Sequence, residues 1–414
     1  MKKKLLIING AGASVEFGMP SVTEIDSLFS KWANDYLKLE DNIVQNLYDW
    51  VKVTNQNYLR SHSKHQYSES FENYLYIISL LESVYTENNH WLYSSNKLKP
   101  YITEKVDLPK INYFNKQIRQ ASSGDFSFLY SYLIDKLLEH FRGLSINLEN
   151  NFQEEQKHLR VFYNKLQNNF QIGIINLNYD NTIIRNIDLE TGFDLVTNHL
   201  DRDLLYKKEW NFCYHMHGSV HFDMKGGLDK TQMHKINWNK DLHSAFTSNS
   251  SGRSSIYTTE GYTIKNSSIV AGFNKSTQLL KEPFIQYYMT LDKKIYESDA
   301  ILFIGYGFTD LHLNSLFEFI RFNQNKHRKV VVIDYADDDM ESLHLRHDSW
   351  SEGLFQTVPL NSRELEVKAP YSVNHFKKNF KLERNSNPEH PLAIWYNGFI
   401  EACKNADKII SELA

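Results

Sequence analysis

Cysteine is scarce: Cys213 and Cys403 are the two thiols in 414 residues. So few, and so far apart, they build neither a disulfide framework nor a four-cysteine zinc site, and the chain fits a reducing cytoplasm. An excess of charge of one sign is also missing. Lys and Arg number 46 against 50 Asp and Glu, a net −4, which gives no broad attraction to nucleic acid or to an anionic membrane. Direct nucleic-acid binding is therefore not expected. Long hydrophobic runs are absent too, none approaching the roughly 20 apolar residues that span a bilayer. The start, Met1-Lys2-Lys3-Lys4 followed by Leu5-Leu6-Ile7-Ile8, superficially resembles a secretory leader, but its apolar run stops at Asn9-Gly10 and no cleavage motif follows. It reads as a buried strand. No internal repeat and no low-complexity tract is found.

What remains is a globular composition with material for one large domain or two ordinary ones. Aromatic residues are plentiful, with 25 Tyr and 25 Phe, as a packed core and a surface suited to homo-oligomer contacts would use. Four short apolar runs, Leu5–Ile8, Ile172–Leu177, Ala300–Ile304 and Val330–Ile333, are continuous rather than alternating. Strands covered on both faces have that pattern. The predicted fold class is α/β, a Rossmann-like parallel sheet with helices on both faces, plus a large helical insertion. The domain at 1–340 carries that insertion at about 22–165, with helices over Phe71–Glu82, Phe126–Phe141 and His158–Phe170. Residues 225–268, rich in Ser, Gly and Lys, read as an exposed loop, and 341–414 as a C-terminal α/β segment ending in a helix over Pro391–Leu413.

Each strand ends in small or polar residues, where a doubly wound sheet keeps its ligand crevice. After the first comes Gly10-Ala11-Gly12-Ala13-Ser14. Glycines there allow a tight turn and close backbone approach to a phosphate. The Gly-Lys-Ser/Thr of a Walker loop does not follow, and Val15 stands where the dinucleotide fingerprint has its third glycine. A strand–helix turn without a ligand gives the same pattern. The second strand runs into Asn176-Leu177-Asn178-Tyr179-Asp180, where the amide and carboxylate suit a ribose hydroxyl or a water, or an Asx turn. His215-Met216-His217-Gly218-Ser219 sets an imidazole beside a flexible turn, as a general base needs. A structural histidine fits as well, and a metal site with His221 lacks a convincing ligand set. Gly305-Tyr306-Gly307-Phe308-Thr309-Asp310 repeats the glycine pattern, with Thr309 or Asp310 placed to cap the next helix. Val330–Ile333 ends in Asp334, an acid where an adenosine ribose commonly lies.

Taken in order, these blocks resemble the sirtuin family, with its GAG-x-S loop, its T-Q-N-x-D segment, its H-G catalytic histidine and its later glycine loop. The resemblance implies that Gly10, Ala11, Gly12 and Ser14 cradle the phosphates of NAD. It implies that Asn178 and Asp180 contact the nicotinamide ribose, that His217 is the catalytic base, and that Gly305, Gly307 and Asp334 line the adenosine half. Two departures matter. The paired CxxC zinc cysteines of protein-deacylating sirtuins are missing, and Gly18-Met19-Pro20 continues as Ser21-Val22-Thr23 in place of the acyl-lysine-binding G-I-P-D-F-R. The chain is in this respect similar to the bacterial sirtuin-like branch of anti-phage systems. That resemblance implies NAD+ hydrolysis to nicotinamide and ADP-ribose without a metal. It also implies homo-oligomeric assembly and a gating partner such as a HerA-type ATPase or a short Argonaute. NAD-dependent deacylation, a non-catalytic NAD- or ADP-ribose-sensing scaffold and, against the broken dinucleotide fingerprint, an oxidoreductase are the alternatives.

Overall fold

A computed structural model describes residues 2–39, 44–62, 70–85, 107–113, 117–148, 150–225, 235–244, 246, 251–257, 263–271, 278–322, 327–337, 349–358 and 373–414. The chain forms two compact units, one of Met1–Met19, Leu144–Ser219 and Pro283–Ala414, the other of Pro20–Gly143 and Val220–Glu282.

The first unit is built on a seven-stranded sheet. Its strands are β1 (Lys3–Asn9), β2 (Phe170–Asn176), β3 (Asn211–His215), β4 (Ala300–Ile304), β5 (Lys329–Ile333), β6 (Glu383–Arg384) and β7 (Leu392–Trp395). Across the sheet they run β6-β7-β5-β4-β1-β2-β3, and every neighbouring pair is parallel except β6 with β7. The order reverses between β1 and β4. That is the doubly wound arrangement, whose ligand crevice opens at the reversal, outside the carboxyl ends of the strands.

All five residues of β4 are buried, so both faces of the sheet are covered there. Helices Gln153–Asn169, Phe399–Lys404 and Ala406–Leu413 pack together, the first on β2 and the last on β4 and β5. Helix Phe284–Glu297 packs on β1 and β3, beside Arg202–Tyr206 and Leu311–Phe322. Each fully buried Leu, Ile or Val of these strands contributes about 1.5–3 kcal/mol. Glu16 ties the C-terminal end of the chain to the first loop: its Oε2 accepts the amides of Phe399 and, at 3.1 Å, Ile400.

The four runs expected as strands all lie in this sheet. Two more parallel strands join them. Asn211–His215 escaped because its apolar run, Phe212-Cys213-Tyr214, is only three residues long between Asn and His. Leu392–Trp395, expected as the start of a helix, is extended because it pairs in register with Val330–Ile333, and helix begins only at Phe399. The segment after 341 thus contributes β6 and β7 to the same sheet as β1–β5.

The second unit is largely helical, as expected for the insertion. Helix Val22–Ala33 starts with a reciprocal capping box between Ser21 and Glu24, which satisfies two otherwise orphaned amides. Its Phe29 ring meets Tyr48 of helix Leu47–His62 and Phe71 of helix Phe71–Tyr85 edge-on, at 5.6 and 5.4 Å. A three-stranded antiparallel sheet (Leu37–Leu39, Lys110–Tyr113, Gln117–Gln120) leads into helix Ser123–Asn147, most of which lies in this unit. The stretch 225–268 departs from the loop expected of it. Its described residues form two antiparallel pairs, Phe222–Lys225 with Lys235–Trp238 and Ser251–Tyr257 with Thr263–Ser267. Ile236, Asn237 and Trp238 are all buried, and the two apolar residues are too few to stand out among the polar residues around them. Residues 226–234 and 258–262 lie outside the described residues. No helix among the described residues is long and apolar enough to cross a membrane.

Candidate active site

Parallel pairing brings the five motif-bearing strand ends into one row. Asn9 is in register with Asn176 and with Ile304, Asn176 with His215, and Ile304 with Ile333. The ladder continues one residue into each loop. Met216 N–H donates to the Asn176 carbonyl, Leu177 to Asn9, Gly10 to Ile304, Gly305 to Ile333 and Asp334 to Trp395, all at 2.8–3.0 Å. Every residue singled out from the sequence therefore follows a strand end on one edge of one sheet, on both sides of the β1/β4 reversal.

The two glycine loops lie against each other. A Cβ on Gly10 would stand 2.5 Å from the Gly305 carbonyl oxygen, and one on Gly12 would stand 2.8 Å from the Gly305 Cα. Gly305 has φ +55° and would drive a Cβ to 2.3 Å from the Ala13 nitrogen. These three glycines are thus demanded by backbone-on-backbone packing. Most of the loop's amides are also engaged: Gly10 donates to Ile304, Gly12 to Gly305, Ala13 to Gly10 and Ser14 to Ala11. Ala11 and Gly12 are exposed. Gly307 differs. It is exposed, has no positive φ, and a Cβ there would meet nothing nearer than Thr309 Oγ1 at 3.9 Å.

Asn178 ties the second loop to the first. Its Nδ2 donates to the Gly10 carbonyl at 2.8 Å and to Ser14 Oγ at 2.9 Å. Both amide hydrogens are used, and because a carbonyl only accepts, the Asn178 nitrogen must face Gly10. What Asn178 has left to offer is Oδ1, an acceptor. Asp180 is buried, with Oδ1 taking the Thr182 amide at 2.9 Å in a short turn. Its Oδ2 is buried with no hydrogen-bond partner among the described residues. A carboxylate oxygen so placed suits hydroxyl groups or a trapped water. Asp180 also acts on its surroundings: burial first, and then this charge, push the Cys213 thiol on β3 well up.

His217 sits in the turn after β3, before Gly218 at φ +110°. Its Nε2 lies 2.8 Å from Asp310 Oδ2, and both side chains are about nine-tenths buried. Asp310 also caps helix Leu311–Phe322, its Oδ1 accepting the amides of His312 and Leu313 at 3.1 and 3.2 Å. The sequence foresaw the cap and missed the histidine. Their strands are separated by two others, so no local pattern announces the pair. The loop carrying Asp310 is braced. Phe308 adopts φ +53° inside an aromatic cluster with Phe303, Tyr306 and Trp350. Asn314 joins the brace, donating to the Phe308 carbonyl at 2.7 Å and accepting from Tyr306 Oη at 2.6 Å. Burial, and next to it the charge of Asp310, hold the phenols of Tyr306 and Tyr288 in their neutral form.

Other histidines have different surroundings. His215 is fully buried with Nδ1 3.3 Å from Asn176 Nδ2. His221 belongs to the second unit, stacked on Trp238 at 4.7 Å with Nδ1 2.8 Å from the Asn239 carbonyl, and burial pulls its pKa down to about 4. No group of three or more His, Cys, Asp or Glu among the described residues is arranged to hold a metal ion. Asp334 is half-buried at the end of β5, its carbonyl accepting the Gly398 amide at 3.1 Å.

Residues 173–352 match the family model described as the SIR2-like domain. That stretch carries Asn178, Asp180, His217, Gly305, Gly307 and Asp334, and lies downstream of Gly10–Ser14. Among solved structures, the chain is similar to an ADP-ribose complex of a mutant Sir2 homologue. That similarity is 11% in identity over 86% of this chain and 92% of the other, with a TM-score of 0.30. No curated protein matches the sequence.

Proposed function

We propose that the chain is an NAD+ hydrolase, releasing nicotinamide and ADP-ribose. The observation that carries the reading is the meeting of Asn178, Asp180 and His217 with two glycine loops along one edge of a doubly wound sheet, at its topological reversal. The family match over residues 173–352 supports NAD-related chemistry for the same edge.

The side chains present suit a dinucleotide. The unpartnered Oδ2 of Asp180 is an acceptor for ribose hydroxyls, and the open backbone at Gly307 leaves room for close approach. On the first loop the amide free for a phosphate is that of Ala11, since Gly12, Ala13 and Ser14 donate within the protein. The Ser14 hydroxyl accepts from Asn178 Nδ2 and keeps its own O–H to donate to a phosphate. Asp334 and Gly305 border the adenosine half, Gly305 by shaping the loop.

Nicotinamide departs from its cationic form as a neutral molecule, so the reaction asks mainly for an oriented ribose and a placed water. Asn178 Oδ1 accepts a hydrogen from that water or from a ribose hydroxyl. His217 takes the proton that water loses when it adds to the anomeric carbon. One water is consumed and one proton released per turnover. Two buried cysteines in place of a zinc cluster weigh against protein deacylation. The proposal extends, on the motif resemblance, to anti-phage defence by NAD depletion, with a homo-oligomer held in check by a partner such as a HerA-type ATPase or a short Argonaute.

The test is nicotinamide release from NAD+ with and without an acetylated peptide. The hydrolase reading expects free ADP-ribose at a rate independent of peptide. Release only with peptide, with acyl-ADP-ribose as product, would replace it by deacylation.

A further inference from the structure

At the usual spacing of about 4.8 Å, the three steps from β3 to β4 put their ends roughly 14 Å apart. His217 follows β3 and Asp310 follows β4, yet Nε2 and Oδ2 are 2.8 Å apart. The loops therefore lean together over the ends of β1 and β2, and the structure shows what bends them. Gly218 turns the chain after His217 at φ +110°. Gly305 and Phe308 turn the other loop at +55° and +53°. A left-handed Phe is strained and persists only where its surroundings hold it, as Tyr306, Trp350 and Asn314 do here. The two oxygens of Asp310 are divided: Oδ1 accepts the helix amides of His312 and Leu313, and Oδ2 lies 2.8 Å from Nε2 as a buried close contact.

We propose that Asp310 is the positioning residue of His217, holding a ring proton on Nε2 and so presenting Nδ1 as the accepting atom. A carboxylate only accepts, so a separation of 2.8 Å favours the hydrogen on the nitrogen beside it and leaves the other nitrogen its lone pair. When Nδ1 gains a proton, the imidazolium formed lies against a carboxylate already in place, and no group has to move to stabilise it. Helix capping alone would not require the second oxygen to be buried against a histidine.

Two variants separate positioning from capping. Asp310→Asn keeps a capping oxygen for the helix and turns an amide donor toward Nε2, which forces the ring proton onto Nδ1. Asp310→Ser keeps a cap and leaves Nε2 without its partner. Imidazole nitrogen-15 spectra of the full chain, with the His217 signal assigned by its loss in His217→Gln, should show the Nε2–H tautomer in the native protein. They should show Nδ1–H in Asp310→Asn. The kinetic half rests on the hydrolase reading: kcat should fall by about two to four decades in Asp310→Asn with KM within roughly threefold, and less steeply in Asp310→Ser. An unchanged tautomer in Asp310→Asn, or full kcat in both variants, would overturn the assignment. If the native chain cleaves no NAD+, the hydrolase reading falls, and the spectra still decide the role of Asp310.

Discussion

Asn178 Nδ2 and Ser14 Oγ are joined by a 2.9 Å hydrogen bond that fastens the loop after β2 to the loop after β1. With its companion to the Gly10 carbonyl, it makes one buried amide the link between the two halves of the candidate site. Asn178→Asp removes both donors and sets a carboxylate against a carbonyl, so it should cost about 1–3 kcal/mol and lower turnover together. Ser14→Ala leaves the Gly10 bond and should cost about 0.5–1.5 kcal/mol. Urea midpoints and NAD+ turnover of the two variants check the order, and equal stability of both with the native chain would contradict the link.

The glycine loops yield a contrast between neighbours. Gly305→Ala forces a Cβ into the backbone of Gly12 and Ala13 at φ +55°, and should destabilise by more than about 2 kcal/mol or prevent folding. Gly307→Ala meets open space, and stability should stay within about 0.5 kcal/mol. If the Gly307 backbone faces the dinucleotide, its KM should rise while melting is unaltered. Thermal melts and NAD+ titrations of the pair distinguish packing from binding, and equal melting losses at 305 and 307 would contradict the assignment.

His221 gives a pH signature to the second unit. Burial lowers its pKa from 6.5 to about 4, so below pH 6.5 the unfolded chain takes up a proton that the folded chain refuses. Its contribution to stability is present above pH 6.5 and is lost as the pH falls toward 4, to a limit of roughly 3 kcal/mol. His221→Gln, which does not titrate, should show a smaller drop in urea midpoint between pH 7.5 and pH 5 than the native chain. An equal drop would remove His221 as the cause.

Much of the sheet and its loops was legible because it depends on neighbours in sequence. Leu5–Ile8, Ile172–Leu177, Ala300–Ile304 and Val330–Ile333 are uniform runs bounded by Gly or Asn, and parallel register sets their ends in one row. Asn211–His215 was hidden because its apolar run, Phe212-Cys213-Tyr214, is only three residues long between Asn and His, although burial of four of its five residues fits a covered strand. Leu392–Trp395 was read as helix because real helix follows within four residues. The roles of the glycines were only half legible. A glycine pair after a strand looks the same whether it clears a phosphate or another loop, and the partner loop lies almost 300 residues away in the chain. The pairing of His217 with Asp310 depends on three positive-φ residues, Gly218, Gly305 and Phe308, and an aromatic brace, which together leave no local pattern.

The central claim is that His217 serves NAD+ cleavage at this edge, and product chromatography of the purified chain with NAD+, alongside His217→Ala, tests it most directly. Nicotinamide and ADP-ribose should accumulate in equal amounts with the native chain, and the rate should fall by about two to four decades in a variant that melts normally. NAD+ consumption at the native rate in His217→Ala would contradict it.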